Sequence, residues 1–336
     1  MRIRNLPVLI APVAVVCIAA LLAPIGGAAG VSIVSFGLIN LVLVLAMYTF
    51  VGNTGVVSFG HAGFVAIGAY VGALTSMAPG TKQMLLPNLP EFLTGFTLPF
   101  WGSLLLAGLA AGLAALLVGV PLMRLNGFAA GIGTLAFLMI VRNAVRNWKD
   151  VTGGAGTLNG IPIQASLPLL TGVVVVVILI AFLYQSSRRG RLARATREDR
   201  IAAQALGVNV FGERIAAFVL SGALAGVGGA LYAAQLGSIA VDSFFLGMTF
   251  LMLAMLVIGG MLSIWGAVIG TLAVTVIQEG VRGASSLPWF AGLPSGLSLV
   301  IVGAVLIVTL LFRPQGITGG KEFAFFRRNP GVADID

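Results

Sequence analysis

Charge is what this sequence has least of. Only 9% of its 336 residues are Asp, Glu, Lys or Arg, against about 25% in soluble domains. A water-soluble globular surface is excluded on that ground, and a polytopic membrane protein is indicated. Cysteine and histidine are nearly absent, with Cys17 and His61 alone. One cysteine excludes an intrachain disulfide and a cysteine metal cluster, and one histidine removes most metal-site designs. No metal and no cofactor are expected on the chain. Catalytic signatures are missing too: there is no HExxH and no G-x-S-x-G elbow. Gly320–Lys321 has Gln315 where a phosphate loop needs its first glycine and Glu322 where it needs Ser or Thr. The chain is therefore not expected to bind ATP through such a loop.

What is present is apolar. Hydrophobic residues make up 59% of the chain. After Arg2 and Arg4 an apolar run extends to about Leu22, read as an uncleaved first span rather than a signal peptide. Further apolar stretches lie near 31–51, 57–78, 98–122, 128–145, 167–184, 215–235, 244–262, 265–278 and 293–312. At roughly 20 residues per crossing, the expectation is an all-α integral membrane protein. It is a polytopic bundle of about ten transmembrane helices with both termini cytoplasmic. Orientation follows the arginines: Arg124, the loop at 186–214, Arg313 and the tail fall inside, whereas Lys82, Arg142, Arg146, Lys149 and Arg282 fall outside or at the interface. The transmembrane domain covers 1–314 and a cytoplasmic tail 315–336. The formal charge of +9 points to the positive-inside rule and not to nucleic acid, because the basic residues sit between apolar spans.

Two polar clusters stand out. The first is RRGRLARATREDRIAAQALG, residues 188–207. Thr196 followed by Asp199 resembles a capping box. Glu198 and Asp199 suit the positive end of a helix dipole. Ala202, Ala203 and Ala205 favour helix and allow close approach, and Gly207 is a stop. The spacing predicts a helix of about ten residues, too short to span a bilayer. By itself it reads equally as a solvated loop helix or a partner site. The second cluster is Asn53, Thr54, Ser58 and His61 among Gly52, Gly55, Gly60 and Gly63. It could form a broken helix lining a path, since irregular backbone at membrane depth is tolerated where it is buried or lines a cavity. Asn53, Ser58 and His61 are the candidate path residues. A lone histidine beside a glycine-rich turn is more often structural. The 46 glycines otherwise suit tight helix packing. Glu279 and Arg282 are spaced to pair at i, i+3.

Several segments taken in order resemble the LivM-type permease subunits of binding-protein-dependent ABC importers for branched-chain amino acids. They are GNTGVVSFGHAGFVAIGAY (52–70), GIGTLAF (131–137), NWKDVTGGAGTLNGIP (147–162), GRLARATREDRIAAQALGVNV (190–210), AFVLSGALAGVGGALYA (217–233), VIGGMLSIWGAVIG (257–270) and FRPQG (312–316). The resemblance implies a permease in the cytoplasmic (inner) membrane, with no enzymatic activity of its own. It implies a second homologous permease subunit, two cytoplasmic ATPase subunits that bind the ATP, and an extracytoplasmic solute-binding protein. It assigns residues 196–207 as the ATPase-coupling helix, carried by Thr196, Glu198, Asp199, Ala202, Ala203 and Gly207. Relatives also import urea and short amides, which stay open as alternative solutes. A self-sufficient ion-coupled carrier or channel is the alternative of another class.

Overall fold

The computed structural model describes residues 6–125, 127–285, 297–313 and 315–319. Each of the ten apolar stretches contains a helix. They are α1 (Leu6–Leu22), α2 (Gly27–Thr54), α3 (His61–Ser76), α6 (Phe100–Leu122), α7 (Phe128–Asn147), α9 (Leu167–Ser186), α12 (Val210–Leu236), α13 (Leu246–Gly259), α14 (Ile264–Ser285) and α15 (Leu297–Phe312). Short helices fill the connections: α4 (Pro79–Leu85), α5 (Glu91–Thr94), α8 (Lys149–Thr152), α10 (Arg188–Glu198) and α11 (Arg200–Ala205).

Six helical stretches among the described residues are long and apolar enough to cross a membrane, or seven if α3 and α4, bent by 118°, form one crossing. That is fewer than the ten expected, and the reasons are local. The stretch beginning at Val57 gives its first residues to non-helical chain, so α3 has only 16 residues. Gly260 takes φ +121 and ends α13 after 14 residues, and α15 has only 16. Leu9–Thr54 is counted once although it is 46 residues long. At 1.5 Å per residue such a stretch would reach about 69 Å, more than twice a bilayer core of about 30 Å. It is divided by the tight turn Ala23–Gly26, after which Gly27 adopts φ +63. The all-α expectation needs one amendment. β1 (Thr157–Leu158) and β2 (Ile239–Ala240) form a two-stranded antiparallel ladder, pairing Thr157 with Ala240.

The centre of the bundle is α12, which packs against α2, α3 and α6. Small residues set these contacts. A Cβ on Gly226 would overlap Ala111, and one on Gly229 would overlap the carbonyl of Val65. Close backbone approach of this kind replaces the hydrophobic drive that lipid does not supply between helices. A wide apolar core of α2, α3, α9, α12 and α13 residues surrounds the contact, with Phe50, Phe64, Phe218 and Phe244 fully buried.

The connections separate into two ends. At one end Arg197 bonds the Gly52 carbonyl and Arg214 reaches the Leu125 carbonyl. There too, Ile317 and Thr318 donate to the carbonyls of Ile258 and Gly259. These five residues of the expected tail, 315–319, are therefore pinned to the α13–α14 junction. At the opposite end Asn88 bonds Asp150, Ile161 donates to the Gly237 carbonyl, and Arg142 bonds Asp242. Arg2, Arg4, Lys321, Arg327 and Arg328, used to orient the chain, lie outside the described residues.

Candidate functional site

The basic loop is built in two pieces. Ser187 caps α10, its hydroxyl oxygen accepting from the Gly190 N–H at 3.1 Å and its O–H donating to the Tyr184 carbonyl at 2.6 Å. One face of α10 is buried through Gly190, Ala193 and Thr196. Its arginines clamp neighbouring helix ends: Arg194 donates to the Gln185 carbonyl at 2.7 Å and Arg197 to the Gly52 carbonyl at 2.5 Å. Arg197 also grips Glu198 at 2.5 Å. Helix α10 is thereby fixed to the ends of α9 and α2.

The expected single helix from Thr196 to Gly207 is instead broken at Asp199. Thr196 lies in the last turn of α10, buried, with its hydroxyl donating back to Ala193 at 2.7 Å. It caps nothing. Asp199 is extended (φ −147, ψ 110), and its carboxylate accepts from the N–H groups of Ile201 and Ala202 at 2.8 and 3.0 Å. That is an N-cap, and it starts α11. The sequence signal for it was the same Asp199, one position of the assumed box read in the wrong role. Gly207 ends α11 with φ +80, a left-handed position suited to glycine. Gly207 N–H bonds the Gln204 carbonyl at 2.9 Å and Val208 N–H the Ala203 carbonyl at 3.0 Å, a complete Schellman motif.

Helix α11 rests on the body through Ala203, which is 4% exposed, while Ile201 and Leu206 stand 80% and 84% exposed. Ala202 and Glu198 are exposed as well. The result is a short, rigidly capped helix at the basic end, presenting apolar side chains away from its own protein.

The second cluster is buried rather than open. Asn53, Ser58 and His61 are 1%, 0% and 0% exposed. Asn53 donates back to the Thr49 carbonyl at 3.1 Å. His61 lies between Ser58, 2.9 Å from Nδ1, and Ser221, 2.6 Å from Nε2. Ser221 donates its own hydrogen to the Ala46 carbonyl at 2.6 Å, so toward His61 its oxygen accepts. Nε2 therefore carries the proton and Nδ1 accepts from Ser58. Phe50, Phe64 and Phe218 ring the imidazole at 6.0–6.2 Å between centroids. The histidine ties α2, α3 and α12 together. Ser221, its essential partner, was missed in the sequence, where it is one small residue in a glycine-rich span.

The residues between the two ends of this cluster expose a different edge. Gly55 and Val57 are exposed and Phe59 is half-buried. Phe59 is held from both sides, by its N–H to Thr134 Oγ1 at 3.0 Å and by its carbonyl to Thr249 Oγ1 at 3.5 Å.

At the opposite end Arg142 donates to Asp242 through Nε at 3.1 Å and Nη2 at 2.6 Å. Its guanidinium lies 4.2 Å from the Phe245 ring centre, a cation–π contact. The hydrogen bond from Arg142 holds the Asp242 carboxyl below the usual carboxylate range. Desolvation opposes the shift, and the charges of Arg142 and Arg146 add to it. Lys82 is fully buried and donates to the carbonyls of Leu93 and Phe96 at 3.0 and 2.7 Å, which pins the 87–99 connection. Glu279 and Arg282 do pair, at 3.7 Å.

The family model described as "Branched-chain amino acid transport system / permease component" matches residues 30–310. The chain belongs to this permease family. It is a multi-pass transport subunit of the inner membrane. The high-affinity branched-chain amino acid transport system permease protein LivM of Escherichia coli K12 is 28% identical over 321 residues, covering 85% of this chain and 69% of that one. The autoinducer 2 import system permease protein LsrC of Shigella flexneri is 30% identical over 261 residues, 72% and 69% of the two chains. The probable branched-chain amino acid transport permease protein LivH of Methanocaldococcus jannaschii is 27% identical over 309 residues, 83% and 89%. No solved structure matches.

Proposed function

We propose that this permease imports branched-chain or related small apolar amino acids, powered by ATP hydrolysis on two separate cytoplasmic subunits. A second, homologous permease completes the membrane unit, and an extracytoplasmic binding protein delivers the solute. The observation that carries the reading is α11. A six-residue helix cannot persist alone in water, yet this one is capped at both ends and turns Ile201 and Leu206 outward. An apolar helix face of this kind suits docking in a groove on a partner. Movement received by α11 passes through α10 to α2 and α9, because Arg197 and Arg194 bond the last turns of those helices.

The membrane topology proposed with it is ten crossings with the basic end inside. The alternation of connections supports it. Among the described residues, 123–125, 187–209, 260–263, 313 and 315–319 gather at the Arg197 end, and residues 77–99, 148–166 and 237–245 at the Arg142 end. An ion-coupled carrier is disfavoured by the His61 relay. It ends on the Ala46 carbonyl, a group with no proton to pass on. The two groups of relatives are named for different solutes, so competition must decide the substrate.

The test is uptake of labelled leucine into proteoliposomes holding this chain, its second permease, the ATPases and the binding protein. Uptake that needs ATP and is blocked by isoleucine or valine is the expected result. Block by urea or acetamide only would replace the solute. Flux from this chain without ATPases would overturn the reading.

A further inference from the structure

Beside α11, at the basic end, lies a half-open pocket of about 400 Å³ in which three arginines converge. Arg124 comes from the turn after α6, Arg200 opens α11, and Arg214 belongs to the second turn of α12. Gln204 and Asn209 complete the polar wall, and no carboxylate lines it. Arg124 stacks over the Phe211 ring at 5.7 Å, which fixes its direction. Arg214 is only 7% exposed, with Nη1 3.5 Å from the Leu125 carbonyl. Among the described residues, the ion pairs use neither Arg124 nor Arg200. Like charges brought to one cavity repel, and an anion seated among them relieves the repulsion. The guanidinium fork matches phosphate geometry, and the start of α12, a 27-residue helix, adds the positive end of its dipole.

The depth of the pocket narrows the source of that anion. Arg214 lies about 6 Å inside the start of α12 at 1.5 Å per residue, at the level where a spanning helix meets headgroups. Leu125, next to Arg124 in the chain, and Phe128, which opens α7, are 38% and 78% exposed. A soluble anion has no use for them, whereas acyl chains do. Basic pockets between helices on the cytoplasmic side suit anionic lipid headgroups.

We propose that the Arg124–Arg200–Arg214 pocket binds the phosphate of an anionic phospholipid in the cytoplasmic leaflet. The choice of leaflet rests on the orientation proposed above, whereas the phosphate chemistry does not. Lipid bound here would bridge the α6–α7 turn to α11, so lipid charge would bear on the same helix that faces the ATPase.

The experiment is exchange of labelled phosphatidylglycerol against phosphatidylcholine on the purified full-length chain in mixed micelles. The wild type is expected to select phosphatidylglycerol. Arg124→Gln and Arg200→Gln should each lower that selectivity about fivefold, the worth of one basic side chain at an anionic surface, and the double variant about 25-fold on the same basis. Arg188→Gln with Arg191→Gln, in the same loop but outside the pocket, should change it less than about twofold, within the effect of ordinary surface substitutions. Arg124→Lys, which keeps charge and loses the fork, should fall between. Equal selectivity in wild type and double variant overturns the proposal. So does saturation by millimolar inorganic phosphate without any lipid preference, which would make the site one for a free anion. Complete displacement of the lipid by added ATPase subunits, with the double variant losing ATPase binding by the same factor, would assign the arginines to that protein interface instead and likewise overturn it.

Discussion

Removing the Asp199 carboxylate tests the docking helix most directly. In Asp199→Ala the N–H groups of Ile201 and Ala202 lose acceptors at 2.8 and 3.0 Å. Loss of such a cap costs about 1 kcal/mol, or about a fivefold shift in a local folding equilibrium at RT ≈ 0.59 kcal/mol. Helix α11 has little else to hold it. Its body contact is Ala203, and its far end depends on two bonds made by Gly207 and Val208. Backbone hydrogen exchange over residues 201–206 should therefore rise about fivefold, while the amides of α12 stay protected. Affinity for the ATPase should fall by at most that factor, since it follows the fraction of α11 that stays folded. Asp199→Asn, an equally good cap, should remain within about twofold of wild type, losing only the weak helix-dipole term. Unchanged exchange in Asp199→Ala would refute the cap assignment. Faster exchange with full coupled uptake even in Asp199→Ala combined with Gly207→Val, which removes both caps, would refute the docking role alone.

Gly226→Leu should lower stability by about 1–3 kcal/mol or prevent assembly of the bundle, since no Cβ fits against Ala111; thermal denaturation in detergent reads this. His61→Ala should destabilise by about 1–3 kcal/mol, from two intramembrane hydrogen bonds and a cavity where the ring stood. Ser221→Ala should destabilise by less. A proton-coupled carrier would instead lose transport at unchanged stability. Gly207→Val should fray α11 by about 1 kcal/mol through its positive φ, with exchange again the readout. The Arg142–Asp242 pair gives a pH signature. Its folded carboxyl titrates below the usual range, so its stabilisation is fully present above about pH 4, the unfolded value, and is lost as pH falls through the lower folded one. Asp242→Asn should remove that acid-side loss from melting curves taken between about pH 5 and 2.

Much of the molecule was legible in the chain because it is written locally. Low charge and long apolar runs specify a membrane bundle, since hydrocarbon accepts little else, and every one of the ten runs holds a helix. The Gly207 stop was legible because a left-handed C′ position favours one residue type. The i, i+3 pair of Glu279 and Arg282 was legible because helical spacing alone brings it together. Tertiary structure decided the rest. Thr196 and Asp199 each satisfied the same capping pattern, and burial of Thr196 against the body chose Asp199 as the cap. His61 was seen as a candidate, but its neighbour Ser221 is 160 residues away, and no spacing rule reaches that far. The convergence of Arg124, Arg200 and Arg214 on one pocket and the pairing of Thr157 with Ala240 have the same origin. Helix periodicity links residues three and four apart. Contacts between distant segments depend on which helix faces the glycines let approach, and that is settled only when the whole bundle packs.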